Sequence, residues 1–166
     1  MQPSGAGVDP GPNALLSGQQ EDKILERLRW ALDQFPAYIG INNHMGSRFT
    51  TDSAGMAVVL GELKRRGLMF LDSRTTGSSV GHRLALEIGV PFAERNVFLD
   101  NDNDLLKVQA QLRELEAVAR KSGQAVAIGH PRDATIQALA QWLPGLEGRG
   151  FQLVPLSAVV VEQGGR

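Results

Sequence analysis

Two of the three histidines in this sequence of 166 residues come shortly after an apolar run. His44 follows the run Ala37–Ile41, and His130 follows the run Ala125–Ile128. Imidazole can act as a general acid or base, and it can bind a divalent metal ion. A hydrogen-bonded histidine with a structural role would also suit these positions. The third histidine, His82, falls inside a predicted helix and is interpreted as a surface residue.

Carboxylates and a guanidinium occupy comparable positions. Asp72 and Arg74 follow the run Leu68–Leu71, and Asp100 follows Val97–Leu99. Imidazole together with carboxylate supports acid–base catalysis, or the binding of a metal ion that activates water. Asp72 could instead cap the loop that follows it, and Arg74 could pair with Asp72 for structure alone. Both interpretations stay open for this pair.

Amide and hydroxyl side chains complete the set of candidates. Asn42, Asn43 and Ser47 surround His44 in the stretch GINNHMGSRFT, residues 40–50. Such groups suit hydroxyl-rich ligands such as sugars, although Ser47 could also serve the turn that it shares with Gly46. We predict that Asn42, Asn43, Ser47 and Asp100 bind substrate.

The acidic stretch DNDND at residues 100–104 has two interpretations. Its oxygen ligands could bind Ca²⁺, but the glycine and the final glutamate of an EF-hand loop are missing. Asp and Asn also favour the beginning of a helix. We therefore interpret the stretch as a helix start.

Composition and missing motifs exclude several classes of function. The formal net charge is −1, so the chain lacks the general excess of basic residues that is typical of nucleic-acid-binding proteins. No nucleic-acid partner is therefore expected. The absence of Cys excludes disulfides and thiolate catalysis. Neither a membrane-spanning run nor a signal peptide is recognisable. No HExxH, GxGxxG or GxxxxGK[ST] motif is present, so the common nucleotide-binding proteins are disfavoured and no local spacing supports a zinc site.

The elements that position these residues follow from apolar spacing. Apolar residues at helical spacing predict five helices, at 20–34, 52–66, 79–88, 103–121 and 134–143. Continuous apolar runs predict five strands, at 37–41, 68–71, 97–99, 125–128 and 151–154.

Local signals predict where these elements begin and end. Thr51 is the expected N-cap of the second helix, and the glycines Gly67, Gly89 and Gly123 end three of the helices. Residues 1–19 are predicted to form an irregular loop, and residues 162–166 a frayed tail.

Alternating helices and strands of these lengths indicate an α/β fold built from parallel β/α units. The carboxyl ends of parallel strands share one side, where α/β proteins place their sites. We therefore predict that His44, Asp72 and His130 converge on one face. The residues by themselves indicate an α/β hydrolase that acts on a polar ligand.

Six stretches of the sequence carry a resemblance to a known family, the divergent polysaccharide deacetylases of bacteria. The stretches occur in the family's order and cover essentially the whole chain. They are VDPGPNALL (8–16), GINNHMGSRFT (40–50), RGLMFLDSRTT (66–76), RNVFLDN (95–101), AIGHP (127–131) and GFQLVPLS (150–157).

The resemblance implies a distorted (β/α) barrel and a hydrolase that removes acetyl groups from N-acetylated sugars of envelope or extracellular polysaccharide. It also implies a divalent metal, with zinc expected, and a periplasmic or envelope location. Carried over, His130 is the candidate acid and His44 a candidate metal or substrate ligand. Asp72 and Arg74 would be catalytic residues that orient the other groups.

The sequence departs from the family pattern at its beginning. The early strands and their paired aspartates have no match, and Gln2 replaces an acid within a family triplet that appears here as Met1-Gln2-Pro3. These departures predict an incomplete barrel of about five strands, forming one partial domain over residues 1–166. Tight metal binding by this chain alone is not expected. An open sheet edge at Tyr38–Ile41 predicts marginal stability and self-association.

The same departures support an alternative function. The chain could be a catalytically inactive carbohydrate-binding or envelope-scaffold protein of the same fold.

Overall fold

The computed structural model describes residues 1–160, which form two compact units. The first unit comprises Met1–Glu94 together with Val160, and the second comprises Arg95–Val159. Both units combine helices with parallel strands, which confirms the predicted α/β class. The tail predicted at 162–166 lies outside the described residues, and the single partial domain stays a prediction.

The first unit is a three-stranded parallel sheet with three helices. The strand order is β1-β2-β3, and Gly40 pairs with Met69 while Asp72 pairs with Glu94. The elements are α1 (Glu21–Leu32), β1 (Gly40–Asn42), a 3₁₀ turn (Phe49–Thr51), α2 (Ser53–Arg66), β2 (Met69–Asp72), α3 (Gly81–Ile88) and β3 (Phe92–Glu94). The carboxyl ends of all three strands therefore meet at one edge of this sheet.

The second unit has a two-stranded parallel sheet and two long helices. Val97 pairs with Ala127 and Phe98 with Ile128. The elements are β4 (Val97–Phe98), α4 (Leu105–Ser122), β5 (Ala127–Ile128), α5 (Asp133–Trp142) and 3₁₀ turns at Leu143–Gly145, Glu147–Arg149 and Leu156–Ala158. A small apolar core of Val97, Leu99, Val108, Leu112 and Ala138 joins these elements.

The five predicted helices are confirmed, with ends that shift by one or two residues. Gly67, Gly89 and Gly123 adopt the left-handed conformation directly after α2, α3 and α4, as the stop signals predict. The N-cap of α2 is Asp52 rather than Thr51, because the Asp52 carboxylate accepts hydrogen bonds from the amides of Ala54 and Gly55.

The first strand is shorter than the predicted run 37–41. Ala37 has a φ of +68°, which lies outside the β region, and Ile39 is 63% exposed. Pairing begins only at Gly40, where a Cβ atom would lie 2.7 Å from the Met69 carbonyl oxygen. Glycine is therefore needed for the close approach of β1 and β2.

Two further corrections concern short segments. The sequence prediction missed β3 (Phe92–Glu94), whose three residues lie just before β4 and were too short to stand out as an apolar run. The predicted strand at 151–154 is wrong. Leu153 and Val154 are 65% and 46% exposed, so this apolar run lacks the burial that the strand prediction assumed.

The N-terminal segment 1–20 is irregular, as predicted, yet it is held firmly against the first unit. The Gln2 amide donates to the Leu15 carbonyl oxygen, and the Gln2 carbonyl accepts from the amides of Arg48 and Phe49. Ala14 and Leu15 are buried. The segment therefore braces the loop that follows β1.

A buried carboxylate joins α1 to α2. The Glu62 side chain is only 2% exposed and forms ion pairs with Arg29, Arg65 and Arg66, at 3.1, 2.6 and 2.8 Å. Hydrogen bonding from Arg65 is the strongest cause that holds the pKa of Glu62 far below its usual range, and it outweighs the opposing effect of burial. Glu62 therefore stabilises the fold only when it is ionised.

None of the helices within residues 1–160 is long and apolar enough to cross a membrane.

We expect Glu62→Gln to lower the free energy of unfolding by about 2–3 kcal/mol at neutral pH. Removing one partner of a fully buried pair costs about 3–5 kcal/mol, but the three guanidinium groups here are partly hydrated. Because the folded-state pKa is depressed, the stabilisation is complete above the unfolded pKa of about 4.3 and is lost as the pH falls below it. Urea denaturation at several pH values should show the gap between wild type and variant narrowing in acid. A gap that is independent of pH would contradict this account.

We expect the chain to associate through β1 at high concentration. Within the described residues β1 pairs only with β2, and Phe35 and Ile39 nearby are 65% and 63% exposed. Sedimentation velocity over a concentration series should show association that Ile39→Lys reduces. The matched control is Leu106→Lys, since Leu106 is 72% exposed in the second unit. A monomer at all concentrations, with strongly protected amides at 38–41, would contradict the open-edge prediction.

Candidate functional site

Asn43 ties the loop after β1 to the loop after β2. Its side-chain oxygen accepts from the Ser73 amide at 2.8 Å, and its side-chain nitrogen donates to the Met45 carbonyl at 2.8 Å. The Ser73 hydroxyl donates back to the Asn43 carbonyl at 2.6 Å. The Asn43 residue is only 2% exposed, so its polar groups are used inside the protein. A direct role for Asn43 in substrate binding stays a prediction, and these contacts favour a positioning role.

His44 is exposed, directly beside this buried amide. The next residue, Met45, has a φ of +55°, a conformation that non-glycine residues rarely adopt. Two donors, from Asn43 and Thr75, meet at the Met45 carbonyl and hold it in place. The geometry of this loop therefore determines where the His44 imidazole is presented.

Asn42 and Ser47 lie on either side of His44 and make different contacts. Asn42 is exposed, and its side chain donates to the Ser73 hydroxyl at 3.0 Å. The Ser47 hydroxyl accepts from the Ser4 amide at 2.8 Å, which supports the interpretation that Ser47 serves the turn. Substrate binding by these two residues stays a prediction.

Asp72 is fully buried at the end of β2. Its carboxylate accepts from the Arg74 amide at 2.7 Å and from the Ser79 hydroxyl at 2.5 Å. A Cβ atom on Gly81 would lie 2.7 Å from the same carboxylate, so glycine leaves the space that Asp72 occupies. Asp72 thus organises the loop between β2 and α3, which agrees with its structural interpretation. The predicted catalytic role remains untested.

The Arg74 guanidinium forms an ion pair with Glu94 at 3.1 Å, and the Arg74 backbone φ is +50°. A structural pairing of Arg74 with Asp72 stays a prediction. His82 approaches the other Glu94 oxygen at 3.6 Å and packs against the Phe92 ring. The His82 side chain is 55% exposed, consistent with the surface position expected for it.

Glu94 is the candidate that sequence reasoning missed. It ends β3, beside Asp72 in register, and its side chain is 27% exposed. The signal was present as the short run Phe92-Ala93 followed by Glu94-Arg95. The run does not stand out in the sequence because only two residues separate it from the next strand, which begins at Val97.

In the second unit, a buried carboxylate holds His130. Asp100 is fully buried, and it accepts from the His130 amide at 2.7 Å and pairs with His130 Nδ1 at 3.1 Å. The Thr135 hydroxyl donates to the same carboxylate at 3.2 Å. Because an ionised carboxylate only accepts hydrogen bonds, the Nδ1 atom of His130 carries the hydrogen in this contact.

Hydrogen bonding keeps Asp100 ionised despite its burial. Burial by itself would raise the pKa of Asp100, but the hydrogen bonds from His130 and Thr135 outweigh it and lower the pKa below its usual value. The stabilisation that Asp100 provides is therefore present above its unfolded pKa and is lost as the pH falls through the lower folded value. Its burial favours a role in positioning His130. Substrate binding by Asp100 stays a prediction.

Other side chains complete the surroundings of His130. Arg132 donates to the Asp100 carbonyl at 2.8 Å, and the Phe98 ring meets the imidazole edge-on with centroids 5.7 Å apart. The His130 side chain is 39% exposed, so the ring reaches solvent although its Nδ1 atom pairs with the buried Asp100. Of the predicted residues, this histidine has the geometry closest to that of a general acid.

Asp104 explains the acidic stretch that precedes α4. Its carboxylate accepts from the Lys107 amide at 2.9 Å, so it is the N-cap of the helix. The interpretation of DNDND as a helix start is therefore confirmed.

The candidates do not form a metal site within residues 1–160. No three His, Asp or Glu side chains in that range are grouped so that they could hold a metal ion. Catalytic zinc sites ordinarily use three protein ligands. The residues described here therefore do not fit the zinc ion that the resemblance implies, and the assignment of His44 as a metal ligand stays an untested prediction.

The structure brings two groups of candidates together, one in each unit. His44, Asp72 and Arg74 lie at the strand ends of the first unit, where Glu94 joins them. In the second unit, Asp100 and His130 are in direct contact. Convergence of His44, Asp72 and His130 on one face stays a prediction.

We expect Asn43→Ala to destabilise the protein and loosen both strand-end loops. The variant removes the side-chain oxygen that accepts from the Ser73 amide, and losing a buried hydrogen bond of this kind costs about 1–3 kcal/mol. Thermal unfolding should show a clear loss, and hydrogen exchange should accelerate at Ser73. Asn42→Ala is the control, since its exposed side chain should contribute less than about 1 kcal/mol. Equal effects of the two variants would contradict the role of Asn43 in joining the two loops.

Known proteins resemble this chain over most of its length. An uncharacterized protein of Haemophilus influenzae is 40% identical over 146 residues, which cover 88% of this chain and 52% of that protein. The uncharacterized protein YibQ of Escherichia coli is 38% identical over 134 residues, covering 81% of this chain and 42% of YibQ. The chain thus spans about half the length of these curated relatives.

A solved structure shows the same fold. The crystal structure of the uncharacterized protein ATU2773 from Agrobacterium tumefaciens matches with a TM-score of 0.93 and 31% identity, covering 96% of this chain and 65% of that one. The family model described as divergent polysaccharide deacetylase matches residues 1–160. Because this match extends over nearly the whole chain, the chain belongs to the divergent polysaccharide deacetylase family.

Proposed function

We propose that this chain takes part in hydrolysis of the acyl amide on N-acetylated sugars of envelope or extracellular polysaccharide, with His130 as the general acid. The observation that supports this most is the buried Asp100 carboxylate, which holds the His130 imidazole in one orientation. Family membership supports a carbohydrate-related role. On this proposal the chain is a hydrolase of carbon–nitrogen bonds and acts in the periplasm or at the envelope.

The chemistry assigned to His130 is proton donation to the leaving nitrogen. When the tetrahedral intermediate of amide hydrolysis collapses, the amine cannot leave until its nitrogen is protonated. An imidazolium whose Nδ1 donates to Asp100 can transfer the Nε2 proton to that nitrogen. Asp100 and Thr135 are positioning residues in this scheme, because they act through His130 rather than on the substrate.

The strand-end residues of the first unit are proposed to bind and orient the sugar. Asn42 and His44 are exposed there, while Asn43 and Asp72 hold the loops that present them. Arg74 and Glu94 neutralise each other at 3.1 Å, so this surface favours a neutral ligand over an anionic one. Amides and paired charges of this kind suit sugar hydroxyls.

On this proposal the strands of both units belong to one distorted (β/α) barrel. The parallel pairing of β1-β2-β3 and of β4-β5 supports that architecture.

A second candidate function is binding of polysaccharide without catalysis. It is favoured by the lack of a grouped set of metal-ligating side chains within residues 1–160. The strand-end amides would then hold a glycan, and His130 would be a structural or binding residue.

We expect His130→Gln to lower deacetylation of an N-acetylglucosamine oligomer by roughly 10²–10⁴-fold, the usual contribution of a positioned acid. Asp100→Asn should cost less and should change the shape of the pH–rate profile, because the imidazolium loses its anionic partner. Released amine can be followed with an amine-reactive fluorophore. Asp102→Asn is the matched control, since this carboxylate is exposed near the same strand end.

Two outcomes would overturn the assignment. Full activity in His130→Gln would exclude His130 as the acid. Binding of the oligomer with no amine release, unchanged in His130→Gln, would favour the non-catalytic alternative.

A further inference from the structure

The second unit contains an apolar groove, and most of its lining takes no part in the proposed sugar contacts or in the Asp100–His130 pair. The groove lies along β5, from Ala125 to His130, and encloses about 680 Å³. Its walls come from α4, α5 and the segment 152–154 that was predicted to be a strand. Leu112, Leu115, Leu139, Ile136 and Leu153 are among the side chains that line it.

The groove is open because β5 has a second edge that is not covered by a strand. Within the described residues β5 pairs only with β4, and the segment 152–154 lies across the groove without forming a ladder with it. As a result, Ile136, Leu153 and Val154 are 55%, 65% and 46% exposed at the rim. Apolar side chains that meet at a concave surface indicate a ligand or partner site more often than scattered ones do.

The candidate acid also lines the groove. His130 and Thr135 belong to its lining, and Asp100 holds both through hydrogen bonds. A ligand in the groove would therefore place its apolar part against the leucines and a polar group beside the imidazole. The volume lies within the range of about 300–1,000 Å³ that is typical of small-molecule sites.

A linear acyl chain fits these features better than a sugar ring. Sugar rings need hydrogen-bond partners on most sides, whereas the groove wall is largely aliphatic. An acyl amide has its polar carbonyl and nitrogen at one end and methylene groups along the rest. The groove lining likewise combines the His130 side chain with several leucines.

We propose that this groove accepts the acyl chain of a substrate whose amide bears a medium-length chain, such as an octanoyl group, rather than acetyl alone. This inference rests on the proposed function, since it extends the substrate class of the same His130 site. In the reaction, water adds its hydroxyl to the acyl carbon and the C–N bond breaks. The imidazolium gives its proton to the leaving nitrogen, and the second proton of the water returns to the imidazole. The products are a free carboxylic acid and an amine.

The test compares the binding of N-octanoylglucosamine and N-acetylglucosamine by isothermal titration calorimetry. Each methylene transferred from water to an apolar site gains roughly a fourfold factor in affinity, so three buried methylenes give roughly sixtyfold. Ile136→Asn and Leu153→Asn should each remove most of that gain. Both side chains are largely exposed, so the fold should be retained, which circular dichroism can check. Leu106→Asn is the control, because Leu106 is an equally apolar, exposed residue outside the groove.

The outcomes separate this inference from the proposed function. Equal affinity for the two ligands, or an octanoyl affinity unchanged by both groove variants, would overturn the groove assignment even if His130-dependent release of acetyl groups is observed. Octanoyl binding that Leu153→Asn abolishes, without any amine release from either ligand, would retain the groove as a binding site and overturn hydrolysis.

Discussion

A polar side chain buried at the end of a parallel strand must find its hydrogen bonds within the protein, and this constraint shapes both units. Asn43, Asp72 and Asp100 are each almost fully buried at such a position. Each of them accepts a hydrogen bond from a backbone amide in a strand-end loop, namely that of Ser73, Arg74 or His130. Leaving any of these groups unsatisfied would cost about 1–3 kcal/mol or more, so the loops adopt the conformations that satisfy them.

The constraint separates residues that hold the loops from residues that are presented by them. His44 follows the buried Asn43, and Arg74 lies two residues after the buried Asp72. The left-handed backbone at Met45 and Arg74 is sustained by these same hydrogen bonds. Backbone strain of this kind persists only where the surroundings determine it, and it is frequent at functional sites. The buried polar residues therefore determine the conformations of the loops, and their more exposed neighbours are the candidates for contact with a ligand.

Sequence patterns predicted the helices well because the apolar spacing and the glycine stops agree with each other. Gly67, Gly89 and Gly123 all adopt the left-handed conformation that a helix end requires. Strands were harder to predict, since β4 and β5 have only two residues each and β3 has three. Runs this short depend on pairing with neighbours, which a local pattern does not contain. Leu153 and Val154 illustrate the opposite error, because apolar residues alone do not create a pairing partner.

The strand-end positions of the site residues could be predicted, but their individual roles could not. The sequence pattern of an aspartate after a strand is the same whether that aspartate holds a loop or binds a ligand. Burial decides between these roles, and burial depends on residues that are distant in sequence. Asp100 meets His130 and Thr135 across thirty residues or more. Glu94 was missed because its importance comes from Arg74, which lies on a neighbouring strand end.

The charge balance at these strand ends restricts the ligands that they can accept. Two basic side chains at these strand ends have an anionic partner close by. Glu94 faces the Arg74 guanidinium at 3.1 Å, and Asp100 faces the imidazole of His130 at 3.1 Å. Arg132 also reaches the backbone carbonyl of Asp100 at 2.8 Å. A phosphate or sulfate group would have to compete with these carboxylates, whereas a neutral amide or hydroxyl would not. The charge balance within each unit is therefore compatible with the neutral sugar ligand of the proposed function.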